Sequence, residues 1–308
     1  MIKYMLKKIK KALTNPCLLG VYLLRKLAFL FPDKLYLELM FRLNMGYWMD
    51  FDNPRTFNEK LQWLKLYNRR PEYTQMVDKY AVKEYVASII GEEHIIPILG
   101  VWDSVDDIDF DKLPNQFVLK TTHGGGGGGV VICKDKSQFD VIQCKIQLQQ
   151  SLNSCIYKNL REWPYKDVPR RIIAEQYMVD ESGYELKDYK FFCFNGQVKM
   201  IKVDFNRQTS HRANYYNNNF EILHFGEEAF LPNYEIVHQP PHNFEEMVRI
   251  AQWLSANIPF GRVDLYNVSG KIYFGEITFY PASGFGAFTD ANWDYTLGSW
   301  ITLPKTQN

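Results

Sequence analysis

The chain contains 308 residues with a net charge of +1, and 46% of its residues are hydrophobic and 23% charged. This composition is that of a soluble globular protein with a sizeable core, and the balanced charge argues against a nucleic-acid partner. The five cysteines show no CxxC spacing, which is typical of reduced thiols in a cytoplasmic protein. His238 and His242 are separated by Pro240-Pro241, so they cannot share a helical face as a zinc pair would.

The first 26 residues are basic and contain no acidic residue. Their apolar residues recur at spacings that favour one side of a helix. Two interpretations remain open: a basic amphipathic helix lying on the anionic inner face of a membrane, or an ordinary helix packed on the rest of the protein. The apolar run 17–31 is interrupted by two basic residues and is too short on either side to span a bilayer. The basic residues are Lys3, Lys7, Lys8, Lys10, Lys11, Arg25 and Lys26.

Helical patterns dominate the part of the chain that follows. Apolar residues at helical spacing predict a helix over residues 53–70. A second helix is predicted over 73–90, and Gly91 ends it because glycine tolerates the left-handed cap conformation. A short strand is predicted over 95–101.

The remainder mixes strands, hairpins and helices, which predicts an α+β fold rather than a doubly wound parallel sheet. Asn195-Gly196 is a strong hairpin signal between two of the strands. Residues 206–243 are polar and are predicted to be an irregular insertion or substrate-facing loop. The predicted strands are 117–120, 130–133, 171–175, 189–194, 198–204, 262–267 and 271–279, and the predicted helices are 137–162 and 244–257.

A glycine tract joins the strands at 117–120 and 130–133. Glycine amides can approach and hydrogen-bond phosphate oxygens without steric hindrance. Because Lys120 and His123 precede the tract, it is interpreted as a cradle for nucleotide phosphates, with a merely flexible hairpin tip as the alternative. It is neither a P-loop nor a Rossmann turn, since no helix follows it. The tract consists of Gly124, Gly125, Gly126, Gly127, Gly128 and Gly129.

Asp264 and Glu276 lie on the two strands of the last predicted hairpin. A three-residue loop, Ser269-Gly270-Lys271, would place them opposite each other on one face, whereas a two-residue loop would put them on opposite faces. Two facing carboxylates repel unless a cation or proton lies between them. The sequence therefore predicts a magnesium site, with solvated surface acids as the alternative.

The chain resembles the ATP-grasp superfamily, and within it the TupA-like branch named for teichuronopeptide biosynthesis. The resemblance covers roughly residues 50 to 300 and depends on the order and spacing of several short motifs. They are Phe57-Asn58-Glu59-Lys60-Leu61-Gln62-Trp63, Asp78-Lys79-Tyr80, residues 117–129, Glu175-Gln176-Tyr177-Met178, Asp188-Tyr189-Lys190 and residues 262–284.

The resemblance implies an ATP-grasp fold, in which two β-rich lobes hold ATP and Mg²⁺ between them, with a helical N-terminal region. We expect a basic helical region at 1–50, a helical subdomain at 51–110, a glycine-loop lobe at 111–180 and a metal- and substrate-binding lobe at 181–308.

The resemblance also implies a role for each matching residue. Lys79 and Lys120 would contact ATP phosphates, with the glycine loop closing over them. The stretch Glu175, Gln176, Tyr177 and Met178 would lie beside adenine, and Asp188 would hold the ribose hydroxyls. Lys190 and Arg262 would neutralise charge during transfer, while Asp264, Glu276 and Thr278 would bind the metal. Many members of the superfamily have Glu-x-Asn where this chain has Glu276-Ile277-Thr278, so a second metal ion is in doubt.

The implied activity is ATP-dependent ligation of a carboxylate to an amine through an acylphosphate. The branch suggests a uronic-acid residue of a surface polysaccharide as the carboxylate, joined to an amino acid or amine. Arg207, His211 and Arg212 are the predicted contacts for the substrate carboxylate. A kinase using the same nucleotide site remains an alternative. A glycosyltransferase is a second alternative, since Asp107-Ile108-Asp109 has the Asp-x-Asp spacing, although this stretch is interpreted as an acidic turn.

Overall fold

The computed structural model describes residues 16–125, 127–207 and 209–305. The first part of the chain is helical: α1 (Pro16–Lys26), α2 (Asp33–Met45), α3 (Phe57–Tyr67), α4 (Glu72–Val77) and α5 (Ala81–Ile90). No helix in these described ranges is both long and apolar enough to cross a bilayer. Residues 1–15, which carry most of the predicted basic helix, lie outside the description.

Helix α3 begins at a capping box. The Thr56 hydroxyl accepts a hydrogen bond from the Glu59 amide, and the Glu59 carboxylate accepts one from the Thr56 amide. The same helix is tied to the far end of the chain, because Asp294 accepts hydrogen bonds from the Asn58 amide and side chain, both at 3.0 Å. Asp294 belongs to α9 (Asn292–Trp300).

The prediction of one helix over 73–90 is wrong, because the helix is interrupted at residues 78–80. The Asp78 carboxylate accepts hydrogen bonds from the amides of Tyr80 and Ala81 and so caps α5. Gly91 does end that helix, with φ of +99°. The strand predicted at 95–101 is shifted to β1, Ile98–Trp102, after Pro97.

A small antiparallel sheet has the strand order β1-β4-β2-β3. Two helices follow β3, and the predicted single helix over 137–162 is wrong because it is divided at residues 153–155. Phe117 and Leu119 from β2 and Leu148 from the first of these helices form its buried core. The elements are β2 (Phe117–Thr121), β3 (Val130–Cys133), β4 (Ile172–Gln176), α6 (Val141–Leu152) and α7 (Ile156–Leu160).

A larger antiparallel sheet has the order β10-β9-β5-β6-β7-β8. The β5–β6 hairpin turns at Asn195 and Gly196, both with positive φ, as the sequence predicts. Two strands lie within 206–243, so the prediction of an irregular insertion there is wrong; Tyr215 and Tyr216 of β7 are fully buried. The strands are β5 (Asp188–Phe194), β6 (Gln197–Phe205), β7 (Arg212–Tyr216), β8 (Ile222–Leu223), β9 (Phe260–Val268) and β10 (Lys271–Thr278).

Helix α8 (Phe244–Leu254) packs on this sheet through Met247, Ile250, Ala251 and Leu254. It ends three residues before the predicted boundary at 257.

The β9–β10 hairpin closes with a two-residue loop, Ser269-Gly270, because Val268 pairs with Lys271. Of the two loop lengths that the sequence leaves open, the two-residue loop is therefore the one that forms. A bulge between Phe274 and Glu276 nevertheless restores the register and pairs Glu276 directly with Asp264. The two carboxylates thus face each other because of the bulge and not because of the loop.

Candidate active site

Three predicted metal ligands converge on a single atom. The Arg262 Nη2 atom lies 2.7 Å from Asp264 Oδ2, 3.0 Å from Glu276 Oε1 and 3.1 Å from Thr278 Oγ1. Arg262 Nε also contacts Asp264 Oδ1 at 2.6 Å, so the Asp264 contact is bidentate. The guanidinium supplies the positive charge that the facing carboxylates require.

Lys190 is the second cation of this region, and the side chain is almost completely buried. Its Nζ atom contacts the Asp188 carboxylate, lies 2.6 Å from Asp264 Oδ2 and 3.6 Å from Asp204 Oδ2. Burial alone would lower the pKa of Lys190, but Asp188 and Asp264 raise it above its ordinary value. Lys190 therefore stays charged. We call the set Asp188, Lys190, Asp204, Arg262, Asp264 and Glu276 the charged cluster.

Lys79 connects the glycine tract to the charged cluster. Its Nζ atom donates a hydrogen bond of 2.5 Å to the Gly124 carbonyl and lies 3.9 Å from Glu276 Oε2. Partial burial works against ionisation of Glu276, yet Lys79 and Arg262 lower its pKa to about 2. Lys79 therefore lies between the start of the glycine tract and the acid pair.

The glycine tract combines close packing at its ends with exposure at its tip. A Cβ atom at Gly129 would lie 2.2 Å from Thr121 Oγ1, so no larger residue fits there without a shift. Gly125, Gly127 and Gly128 are exposed, and Gly126 lies outside the described residues. Such a tip leaves backbone amides accessible to a phosphate group.

His123 contacts α6. Its ring is buried, and its Nε2 atom is 3.2 Å from the Ser151 carbonyl of α6. Burial lowers the pKa of His123. The structure therefore does not bring this predicted ATP contact to the charged cluster.

Glu175 lies between two lysines on the small sheet. Its oxygens are 2.5 Å from Lys120 Nζ and 2.7 Å from Lys83 Nζ. Although burial raises the pKa of Glu175, the two lysines lower it to about 2. Gln176 is exposed, and Tyr177 and Met178 are half-buried just beyond β4. Sequence analysis missed Lys83, whose partner lies 92 positions away in the sequence.

The low pKa of Glu175 predicts a pH-dependent contribution to folding. A carboxyl whose pKa falls on folding from its ordinary 4.5 to about 2 stabilises the folded state above pH 4.5. That stabilisation is lost as the pH falls through about 2. We expect Glu175→Gln to lower the free energy of unfolding by about 3 kcal/mol at pH 7, and by progressively less below pH 4.5.

Urea unfolding at pH 7, 4 and 3 measures this difference. Glu84→Gln is the matched control, because Glu84 is exposed on the same helix as Lys83. A difference between wild type and Glu175→Gln that is constant over this range would contradict the ion-pair explanation.

The family model described as "TupA-like ATPgrasp" matches residues 59–302. The chain belongs to this family. The predicted resemblance and the α+β ATP-grasp fold are thereby confirmed. No curated protein sequence matches the chain.

Several solved ATP-grasp structures are similar to the chain at low identity. D-alanine–D-alanine ligase from Bacillus anthracis, complexed with ATP, is 16% identical over 67% of this chain, with a TM-score of 0.39. The match covers 54% of that ligase, so the chain spans about half its length. N5-carboxyaminoimidazole synthetase from Staphylococcus aureus, complexed with ADP, is 15% identical over 89% of this chain and 65% of that one, with a TM-score of 0.44.

Asp188 is another of the residues predicted for this TupA-like ATP-grasp protein. One of its carboxylate oxygens has partners and the other has none. Oδ2 contacts Lys190 and lies 3.1 Å from Arg207 Nη1. Oδ1 is buried and has no hydrogen-bond partner in the described part of the chain. An unpaired buried oxygen is costly, so it is an available acceptor for a ligand hydroxyl; contact with ribose stays a prediction.

The predicted substrate contacts divide into two groups. Arg207 reaches the charged cluster through Asp188, and His211 reaches it through Asp204 at 3.0 Å. Arg212 begins β7 and shows no ion pair with the cluster within the described residues. Asp109 caps a short 3₁₀ helix by accepting from the amides of Asp111 and Lys112, which matches the interpretation of Asp107-Ile108-Asp109 as an acidic turn.

Proposed function

We propose that this protein is an ATP-dependent ligase that activates a carboxylate as an acylphosphate and joins it to an amine. The observation that carries the proposal is the position of Lys79 between Gly124 and Glu276. It joins the glycine tract to the acid pair, in a chain that belongs to the TupA-like ATP-grasp family.

In the proposed reaction a substrate carboxylate oxygen attacks the γ-phosphorus, and the bond from that phosphorus to the β–γ bridging oxygen breaks to release ADP. Lys79 and Lys120 would hold the phosphates beneath the glycine tract. Arg262 and Lys190 would neutralise the charge that develops on the transferred group, since fixed charges of this kind supply a large share of catalysis. An amine then attacks the acyl carbon, and phosphate leaves.

The residues around Arg262 fit a magnesium ion. Two carboxylates and a hydroxyl are oxygen ligands of the kind that Mg²⁺ prefers, and their convergence on one point suits a cation. Arg262 Nη2 lies at that point, so it would have to withdraw. Bound there, the ion would screen the phosphate charge. No group of three or more His, Cys, Asp and Glu side chains forms a metal site in the described ranges, so phosphate oxygens would complete the coordination.

The proposed carboxylate is a uronic-acid residue of a surface polysaccharide or its precursor, and the proposed amine is an amino acid. The resemblance to the TupA-like branch supports this substrate class. Exposed Arg207, whose side chain retains 48% of its surface, supports an anionic substrate beside the charged cluster. A kinase acting at the same site is the runner-up.

ADP release tests the proposal. With ATP, Mg²⁺ and D-glucuronic acid, we expect ADP release that increases when glycine is added, together with free phosphate and an amide product. A kinase would instead give a stable phosphorylated sugar and no free phosphate. ADP release that is independent of every carboxylate tested would contradict the ligase proposal.

We further propose that the N-terminal region binds the anionic inner face of a membrane from the cytoplasm. One side of α1 packs through Val21 and Leu24, together with Ala28 just after the helix, against Tyr36 and Met40 of α2. The other side, with the turn after it, exposes apolar side chains beside the exposed Arg25 and Lys26. Five more lysines and no acidic residue precede them, which matches an anionic lipid surface. The exposed apolar residues include Tyr22, Leu23, Leu27, Phe29 and Leu30.

Vesicle co-sedimentation tests the membrane proposal. Phe29 and Leu30 are 75% and 61% exposed. We expect Phe29→Ser/Leu30→Ser to weaken binding to phosphatidylglycerol-containing vesicles by at least about tenfold, and high salt to weaken it as well. Ile142→Ser is the control, because Ile142 is 74% exposed on α6. Equal binding by both variants would contradict the proposal; a change of oligomeric state without lipid would indicate a protein interface instead.

A further inference from the structure

His211 and Asp204 form a hydrogen-bonded pair beside the charged cluster. His211 Nε2 lies 3.0 Å from Asp204 Oδ1. Because a carboxylate only accepts, His211 Nε2 carries the donated proton, and the neutral ring keeps a lone pair on Nδ1. The Phe230 ring, whose centroid is 4.1 Å from that of His211, covers one side of the imidazole.

Asp204 is fixed as an ionised acceptor. Burial alone would raise its pKa, but the hydrogen bond from His211 and the charges of Lys202 and Lys190 hold it below its usual range. Lys202 lies 3.7 Å from Asp204 Oδ1 and is itself paired with Glu227 at 2.8 Å. His211 therefore contacts Asp204, which in turn lies beside Lys202 of β6 and Lys190 of β5, and Lys202 is paired with Glu227.

A chain of ion pairs connects Asp204 to the predicted catalytic residue Lys190. Asp204 Oδ2 lies 3.6 Å from Lys190 Nζ, and Lys190 Nζ lies 2.6 Å from Asp264. Exposed Arg207 contacts Asp188 in the same cluster. His211 therefore stands one carboxylate away from the lysine predicted to neutralise the transferred phosphoryl group.

We propose that His211 accepts the proton from the ammonium group of the amine substrate, and that Asp204 is the residue that positions it. The proposal rests on the ligase function proposed above and adds the group that makes the nucleophile. An amino acid is protonated at neutral pH and cannot attack until it loses a proton, so a ligase of this kind needs an acceptor.

In the proposed step, one proton goes to His211 and one leaves with the phosphate. His211 Nδ1 takes one proton from the ammonium, which leaves a neutral amine and an imidazolium. The nitrogen lone pair forms the N–C bond, and the C–O bond to phosphate breaks with its electron pair on the phosphate oxygen. The second N–H proton leaves with the phosphate, and the imidazolium returns its own proton to solvent.

The second ring nitrogen of His211 is free to accept a proton, since Nδ1 makes no hydrogen bond with any residue that the structure describes. The side chain also keeps 24% of its surface exposed. His123, by contrast, is enclosed between β2 and α6.

Two nucleophiles separate proton removal from the rest of the reaction. Glycine is an ammonium ion at pH 7, whereas hydroxylamine is already neutral and traps acylphosphates as hydroxamates. With ATP, Mg²⁺ and D-glucuronic acid, we expect His211→Gln to lower the glycine-dependent rate by roughly 100-fold or more while hydroxamate formation stays at the wild-type rate. Asp204→Asn should also affect glycine more than hydroxylamine. His224→Gln is the control, because His224 is an exposed histidine of the same segment.

The outcomes are distinct. Equal loss with both nucleophiles would show a structural role, and no loss with either would remove His211 from the reaction; each result overturns the inference while the ligase function stands. A wild-type protein that releases no ADP with any carboxylate overturns both. Independently of turnover, nitrogen-15 NMR of the full chain should show the Nε2-protonated tautomer at His211, and a protonated Nδ1 in the neutral ring would contradict the inference.

Discussion

Replacing Glu276 by glutamine should lower the rate of carboxylate-dependent ADP release by about 10²–10³-fold, the loss typical when one fixed electrostatic contact of a transition state is removed. Glu276 is the member of the acid pair that a ligand reaches first, because its side chain is 41% exposed whereas Asp264 is almost fully buried. Lys79 and Arg262 hold its pKa at about 2, so it is ionised throughout the range in which the assay runs.

The fold should tolerate this change. Arg262 keeps its bidentate contact with Asp264 when Glu276 becomes neutral, and a partly exposed ion pair contributes less than about 1 kcal/mol. An unchanged unfolding midpoint with lost activity would therefore place the effect in the reaction. Glu235→Gln is the control, because Glu235 is exposed outside the charged cluster. Wild-type ADP release by Glu276→Gln at every Mg²⁺ concentration would remove Glu276 from the metal site.

The cross-strand pairing of Asp264 with Glu276 shows what the sequence can predict and what it cannot. The strands, the hairpin and the positive φ of Gly270 follow from local signals. The bulge before Glu276 was not predicted, although Gly275 lies at the register shift and an isolated glycine within a strand is itself a sign of a bulge. The two carboxylates face each other through a two-residue loop combined with this bulge.

Some residues of the site could be predicted from local motifs, whereas others are brought to it only by the order of the strands. Lys79, Lys190 and Arg262 belong to motifs whose spacing is local. Lys83 and Asp204 carry no such signal, since their roles depend on which strands become neighbours. β6 lies between β5 and β7 in the sheet, and only that order brings Asp204 to both Lys190 and His211.

The missed helix break at Asp78 has a related cause. The apolar pattern continues through Asp78, but its carboxylate caps the following helix and also pairs with Arg171 at 2.9 Å. Hydrophobic periodicity indicates which face of a helix is buried. It does not show whether a side chain such as that of Asp78 will hydrogen-bond to the backbone and end the helix. The break places Lys79 immediately before α5 with its amine at the Gly124 carbonyl.

Lys190→Met should cause the largest loss of stability, about 3–5 kcal/mol of unfolding free energy, together with loss of ADP release. Methionine keeps much of the apolar stem and removes only the charge. Asp188, Asp204 and Asp264, all nearly buried, then lose the ammonium that they share, although Arg207, His211 and Arg262 still contact them individually. Lys199→Met on the neighbouring strand β6 is the control, because Lys199 is exposed.

The pH dependence of that loss identifies its cause. Without Lys190 the three carboxylates repel one another, so their pKa values should rise on folding of the variant. Groups whose pKa is raised in the folded state stabilise it when protonated, so the deficit of Lys190→Met should shrink as the pH falls from 7 towards 4. Adding Asp188→Asn to Lys190→Met removes one of the opposed charges and should recover part of the lost unfolding free energy at pH 7. A deficit that neither acid nor this second substitution reduces would mean that Lys190 stabilises the sheet by packing, and the charged cluster would then not be held together by its charge.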